Sequence, residues 1–113
     1  MPFTKGKRVE AREWFKGKLS IYPFASNHFC GTRGQGAQRH IKALYAAGAL
    51  KVEVGEIQEE PWRIEEDGGP YAATLYITLP MDAAARLAVE TVAKSEKPDE
   101  YDVTGNELRV WWD

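Results

Sequence analysis

The sequence predicts an α+β domain in the βαββαβ order of the ferredoxin-like split βαβ arrangement, with two helices on one face of an antiparallel sheet. Three observations carry this expectation. Residues 35–48 and 81–94 repeat apolar side chains at helical spacing. Residues 71–79 alternate strictly, as a half-buried strand does. Residues 101–112 hold two extended runs around Gly105-Asn106, a tight-turn dipeptide.

In the first helix Ala37, Ile41, Leu44, Tyr45 and Gly48 share one face, and Gln38, Arg39 and Lys42 lie opposite. Gly48 is placed to stop it at positive φ. Leu50, Val52 and Val54 then alternate with Lys51 and Glu53, and Ile57 follows a suspected bulge at Gly55. Asp67-Gly68-Gly69-Pro70 is the strongest reversal signal in the chain. Tyr71, Ala73, Leu75, Ile77 and Leu79 form the apolar row of the clearest strand. Pro80 ends it, Asp82 suits the first turn of the second helix, and Met81, Ala85, Ala88, Val89 and Val92 form that helix's expected buried stripe. In the last strand Leu108, Val110 and Trp112 point one way, Arg109 and Trp111 the other. Asn27 to Gly31 reads as the strand leading into the first helix. Residues 1–26, with a short helix near Val9–Phe15, read as a basic extension beside a single domain at 27–113.

With 113 residues, 43% of them hydrophobic, the chain can close one core without disulfides or metals. The lone Cys30 excludes an intramolecular disulfide, two His with one Cys lack zinc-ligand spacing, and no cofactor motif is present. No apolar run reaches membrane length, so a cytoplasmic chain with no membrane partner is expected.

Charge is laid down unevenly. Residues 1–51 carry ten Lys/Arg against two Asp/Glu, and residues 52–113 carry five against fifteen. The basic half suits phosphate or acidic partners, unless the two halves fold together and neutralise each other. Within it, Arg33-Gly34-Gln35-Gly36 opens the first helix, where free N–H groups favour an anion, and Arg39 follows one turn later. These five residues are the candidate anion site. The competing reading makes the glycines a strand-to-helix turn and nothing more. Cys30, His28 and Arg33 offer a third reading, a small hydrolase with a thiolate–imidazole pair.

Arg33-Gly34-Gln35-Gly36 resembles the phosphate cradle of the acylphosphatase family over four residues. That family's second-strand asparagine has no counterpart, because the segment from Val52 to Ile57 contains none. The likeness is therefore one of turning into a helix, with no catalysis implied. RNA-recognition motifs share the topology, but residues 71–79 (YAATLYITL) lack their aromatic signature, and a pI near 5.7 does not favour nucleic acid.

The leading functional reading is a small regulatory or interaction module that binds another protein, or itself as a homodimer, without catalysis. Trp62, Tyr76, Arg109 and Trp111 are its candidate contact residues: Trp62 within an acidic loop, the others on the sheet face away from the helices. The second reading is a phosphate-bearing ligand or nucleic acid held by the glycine loop and the basic half.

Overall fold

The computed structural model describes residues 3–4, 7–16, 24–25, 28–29, 34–58 and 71–113. Among them lie seven strands and three helices: β1 (Phe3–Thr4), β2 (Val9–Glu10), α1 (Ala11–Phe15), α2 (Gln35–Ala47), β3 (Lys51–Gly55), β4 (Ile57–Gln58), β5 (Thr74–Thr78), α3 (Ala83–Ser95), β6 (Glu100–Thr104) and β7 (Glu107–Trp111). The main sheet is antiparallel, in the order β2-β3-β5-β7-β6, and β1 pairs with β4 in a separate two-stranded ribbon. Because β7 is antiparallel to both its neighbours, β5 and β6 run the same way on either side of it. The fold is α+β, with a five-stranded antiparallel sheet.

Alternation sets the two sheet faces. Val52, Val54, Leu75, Ile77, Leu108 and Val110 are buried beneath the helices, and Glu53, Tyr76 and Arg109 stand on the other side in register. Asp82 caps α3, its carboxylate accepting from the Ala85 N–H at 2.9 Å. Gly48 ends α2 at φ 121°, its N–H bonding back to the Tyr45 carbonyl. Gly48 also lies against Ala85 and Val89, so the C-terminal end of α2 meets the N-terminal half of α3.

The strand expected at 27–31 is not formed at His28–Phe29. Both N–H groups bond back to the Ala25 carbonyl at 2.9 and 3.0 Å, and Ala25 itself turns at φ 38°. These donors are spent in a local turn, and the sheet position beside β3 goes to β2 instead. Ala11, Trp14 and Phe24 are buried in the same core, and Phe24 bridges Ala72.

Two smaller corrections concern register. The stripe of α3 that is buried centres on Val89 and Ala93, whereas Met81 precedes the helix and is exposed, as is Ala88. The break between β3 and β4 falls at Glu56, φ 49°, one residue after Gly55. Gly55 serves a different purpose, since a Cβ there would lie 2.3 Å from the Tyr76 ring. The glycine makes room for a ring packed flat on the strand.

Candidate ligand-binding groove

Basic side chains from the first half of the chain converge between α1 and α2. Arg12 and Phe15, one turn apart on α1, face Arg39, Ile41, Lys42 and Tyr45 of α2 across a groove of about 460 Å³. α1 is held in place by its N-cap, where the Glu10 carboxylate accepts from the Glu13 N–H at 3.1 Å, and by burial of Ala11 and Trp14. On α2 the i, i+3 spacing of Arg39 and Lys42 sets both cations on one exposed stripe. Among the described residues neither has an ion-pair partner and no acidic side chain lines the groove.

The wall is stiffened by a polar clasp. The Tyr45 hydroxyl donates to Glu10 Oε2 at 2.6 Å and accepts from the Val52 N–H at 2.9 Å, joining α2 to the edge of β3. Burial and the Glu10 hydrogen bond raise the Tyr45 hydroxyl above its ordinary pKa, so it stays a donor at neutral pH. Burial works against the Glu10 carboxylate, but hydrogen bonds from Tyr45, Arg12 and the α1 backbone outweigh it and hold its pKa down. Arg12 bonds Glu10 through Nε at 3.1 Å and lies 4.2 Å above the Tyr45 ring, at the border of the groove.

Gly34 caps α2 at φ 74°, and a Cβ on it would lie 2.3 Å from the Phe15 ring. It therefore has two structural reasons to be glycine, conformation and close approach. Gln35 is exposed at the first turn of α2. Gly36 faces away from the α1–α2 groove, toward α3, and Arg39 borders both sides. Cys30, Arg33 and Trp62 lie outside the described residues.

The sheet face opposite the helices is occupied by its own side chains. Arg109 holds Glu56 through two hydrogen bonds, Nε to Oε2 at 2.6 Å and Nη2 to Oε1 at 2.9 Å, and reaches Glu100 at 2.7 Å. The Tyr76 hydroxyl donates to Glu56 at 2.6 Å, while the Arg8 guanidinium covers the Tyr76 ring at 3.7 Å and pairs with Glu107. The Arg109 hydrogen bonds, chiefly, keep the Glu56 carboxyl below its usual range. Tyr76, Arg109 and half-buried Trp111 thus share the face expected for them, with Tyr76 and Arg109 engaged in this network.

A second groove, of about 440 Å³, separates the first half of α2 from the end of α3. There His28 Nε2 lies 3.1 Å from Glu96 Oε1, and His28 stacks on Trp112 at 5.7 Å. His40 is only 5% exposed, packed on Phe29 and Trp112, and its Nε2 has no hydrogen-bond partner among the described residues. Burial lowers its pKa, neighbouring His28 adds to this, and Glu96 opposes it. The unfolded chain therefore takes the proton more readily than the folded one. Stability contributed by neutral His40 is full above about pH 6.5 and is lost as pH falls toward the folded pKa. Urea midpoints between pH 7.5 and 5 should drop more steeply for the native chain than for His40→Gln. Equal slopes would show that His40 does not carry the effect.

The sequence signal for Arg39 was its position after the glycines, but Arg12 and Lys42 were missed as partners. Their spacing is visible in the sequence, yet only tertiary packing brings α1 against α2. Among the described residues no cluster of three or more His, Cys, Asp or Glu is arranged to hold a metal ion, and no helix is long and apolar enough to cross a membrane. Compared with protein-family models, curated proteins and solved structures, the chain finds no match in any of the three.

Proposed function

We propose that the domain is a small binding module whose α1–α2 groove takes a nucleoside phosphate, free or as part of a short single-stranded nucleic acid. The observation that carries this reading is the convergence of Arg12, Arg39 and Lys42 on one groove that has no acidic lining residue among the described residues and is walled by Phe15, Ile41 and Tyr45. Three cations suit a phosphate, and the apolar and aromatic wall suits the body of a base. The glycine turn at 34–36 supports the site by setting the start of α2, with Arg33 as a further candidate contact. Binding without catalysis is the activity proposed.

The finer fold assignment, a ferredoxin-like split βαβ arrangement, is part of the same proposal. Its support is the β5–α3–β6 unit, whose two parallel strands are split by antiparallel β7.

Calorimetric titration with AMP, ATP, an eight-residue oligothymidylate and inorganic phosphate tests the site. The nucleotides or the oligonucleotide should bind more tightly than phosphate alone. Arg39→Ala and Lys42→Ala should each weaken that binding by about 1–2 kcal/mol, with an effect that shrinks as salt rises, while unfolding midpoints stay put because both side chains are exposed. Absence of binding by all four probes, or binding untouched by both substitutions, would remove the reading.

A further inference from the structure

Among the described residues β6 ends the main sheet, with β7 as its one strand partner. The two-residue turn at Gly105-Asn106 makes Thr104 and Glu107 a hydrogen-bonded pair, as it does Asp102 with Arg109. By the same alternation the N–H and C=O groups of Tyr101 and Val103 face away from β7, toward the open edge. The chain confirms this parity on the far side of β7, where the Trp112 N–H bonds the Ala73 carbonyl of the β5 side at 3.1 Å. All of β6 except Tyr101 is exposed.

The side chains along this edge differ by face. Glu100 and Asp102 stand on the face away from the helices; Arg109 contacts both, yet their side chains remain 51% and 67% exposed. Val103 stands on the helix-bearing face at 43% exposure, and Leu87 of α3 is 65% exposed on that same side of the sheet. An extended segment laid along β6 would alternate in the same way, basic side chains toward Glu100 and Asp102, apolar side chains toward Val103. A second copy of β6 does not meet this requirement. Paired antiparallel about Asp102, it would set Asp102 against its own copy and Glu100 against Thr104, with no cation opposite either carboxylate.

We propose that β6 is a docking edge that accepts, by strand addition, an extended segment of another protein in which basic and apolar residues alternate. Two outward backbone pairs supply its hydrogen bonds, and Glu100 and Asp102 supply its charge selectivity. This surface is separate from the α1–α2 groove, so either can fail without the other.

The test uses a fluorescein-labelled peptide of four Lys-Val repeats, followed by anisotropy against the whole chain. Two controls accompany it: four Glu-Val repeats, and a peptide with the four lysines and four valines in separate blocks. The alternating basic peptide should bind, and both controls should bind at least tenfold more weakly. Val103→Pro removes an outward N–H without touching the β6–β7 ladder, a position where an edge strand tolerates proline. It should weaken binding about tenfold with the circular dichroism spectrum unchanged. Should that variant not fold, the Glu100→Lys/Asp102→Lys double variant gives the second reading, since it should reverse the preference toward Glu-Val repeats. Equal binding of the blocked and alternating lysine peptides, or no reversal in the double variant, would overturn the proposal. So would sedimentation showing a dimer that the Val103→Pro substitution dissolves, because the occupant would then be a second copy.

Discussion

Replacing Trp112 with alanine should lower the stability of the domain by about 3–5 kcal/mol, the largest single loss expected from any core truncation here. The side chain is 1% exposed and lies at the centre of a ring cluster. Phe24, Phe29, His28 and His40 all approach it with centroids 5.0–6.0 Å away. Its indole N–H donates to the Glu96 carbonyl at the end of α3 at 3.0 Å. Alanine would open a large cavity and also leave that carbonyl without its donor. Since small domains hold only about 5–15 kcal/mol in reserve, the variant should be close to unfolding at ambient temperature. Trp112→Phe separates the two contributions, because it keeps most of the packing and loses the hydrogen bond, and it should recover more than half of the loss. Urea unfolding of both variants measures this, and a loss under 1 kcal/mol for the alanine variant would mean that the cluster collapses onto the gap or does not form.

That cluster shows where the sequence was legible and where it was not. Trp112 was readable as core because it continues the period-two row of Leu108 and Val110, and all three are buried. The partners that surround it were not readable. His28 and Phe29 look extended by composition, but their backbone donors fold back onto Ala25, a local competition that a side-chain pattern does not record. The helix spans came through for the same reason as Trp112, since helical spacing and Gly48 as stop are local signals, while Asp82, read into the first turn, is the N-cap just outside it. Met81 misled because it falls in phase with the α3 stripe, although the helix begins two residues later. Leu50 was similar, in phase with Val52 and Val54 but preceding the strand and exposed.

The groove and the ion-pair network depended on distance in sequence. Arg12 is 27 positions from Arg39, and Glu56 is 53 from Arg109, so neither pairing leaves a periodic trace. The charge asymmetry did leave one. It marked the first half of the chain as basic without saying which cations would remain unneutralised. Folding spends Arg8 on Glu107 and pairs Arg12 with Glu10, and it leaves Arg39 and Lys42 with no partner among the described residues.

Truncating Ile77 to alanine should cost about 2–5 kcal/mol, and the reason lies in the position of β5 rather than in the residue alone. β5 is the central strand, with β3 on one side and β7 on the other, so Ile77 faces Val52 and Leu108 at once. All three are fully buried, and a cavity at the middle strand has neighbours fixed by backbone ladders on both sides that relax poorly. Ile77→Val removes one methylene and should cost about 0.5–1.5 kcal/mol, which sets the scale of packing at the site. On the opposite face of the same strand, Tyr76→Phe keeps the ring over Gly55 and under Arg8 but loses the hydroxyl bond to Glu56. It should cost about 1 kcal/mol, because Glu56 remains held by both Arg109 hydrogen bonds. Denaturant unfolding of the three variants should therefore rank Ile77→Ala well above the other two with an unchanged m-value. A Tyr76→Phe loss as large as that of Ile77→Ala would mean that the polar face holds the sheet together as much as the core does.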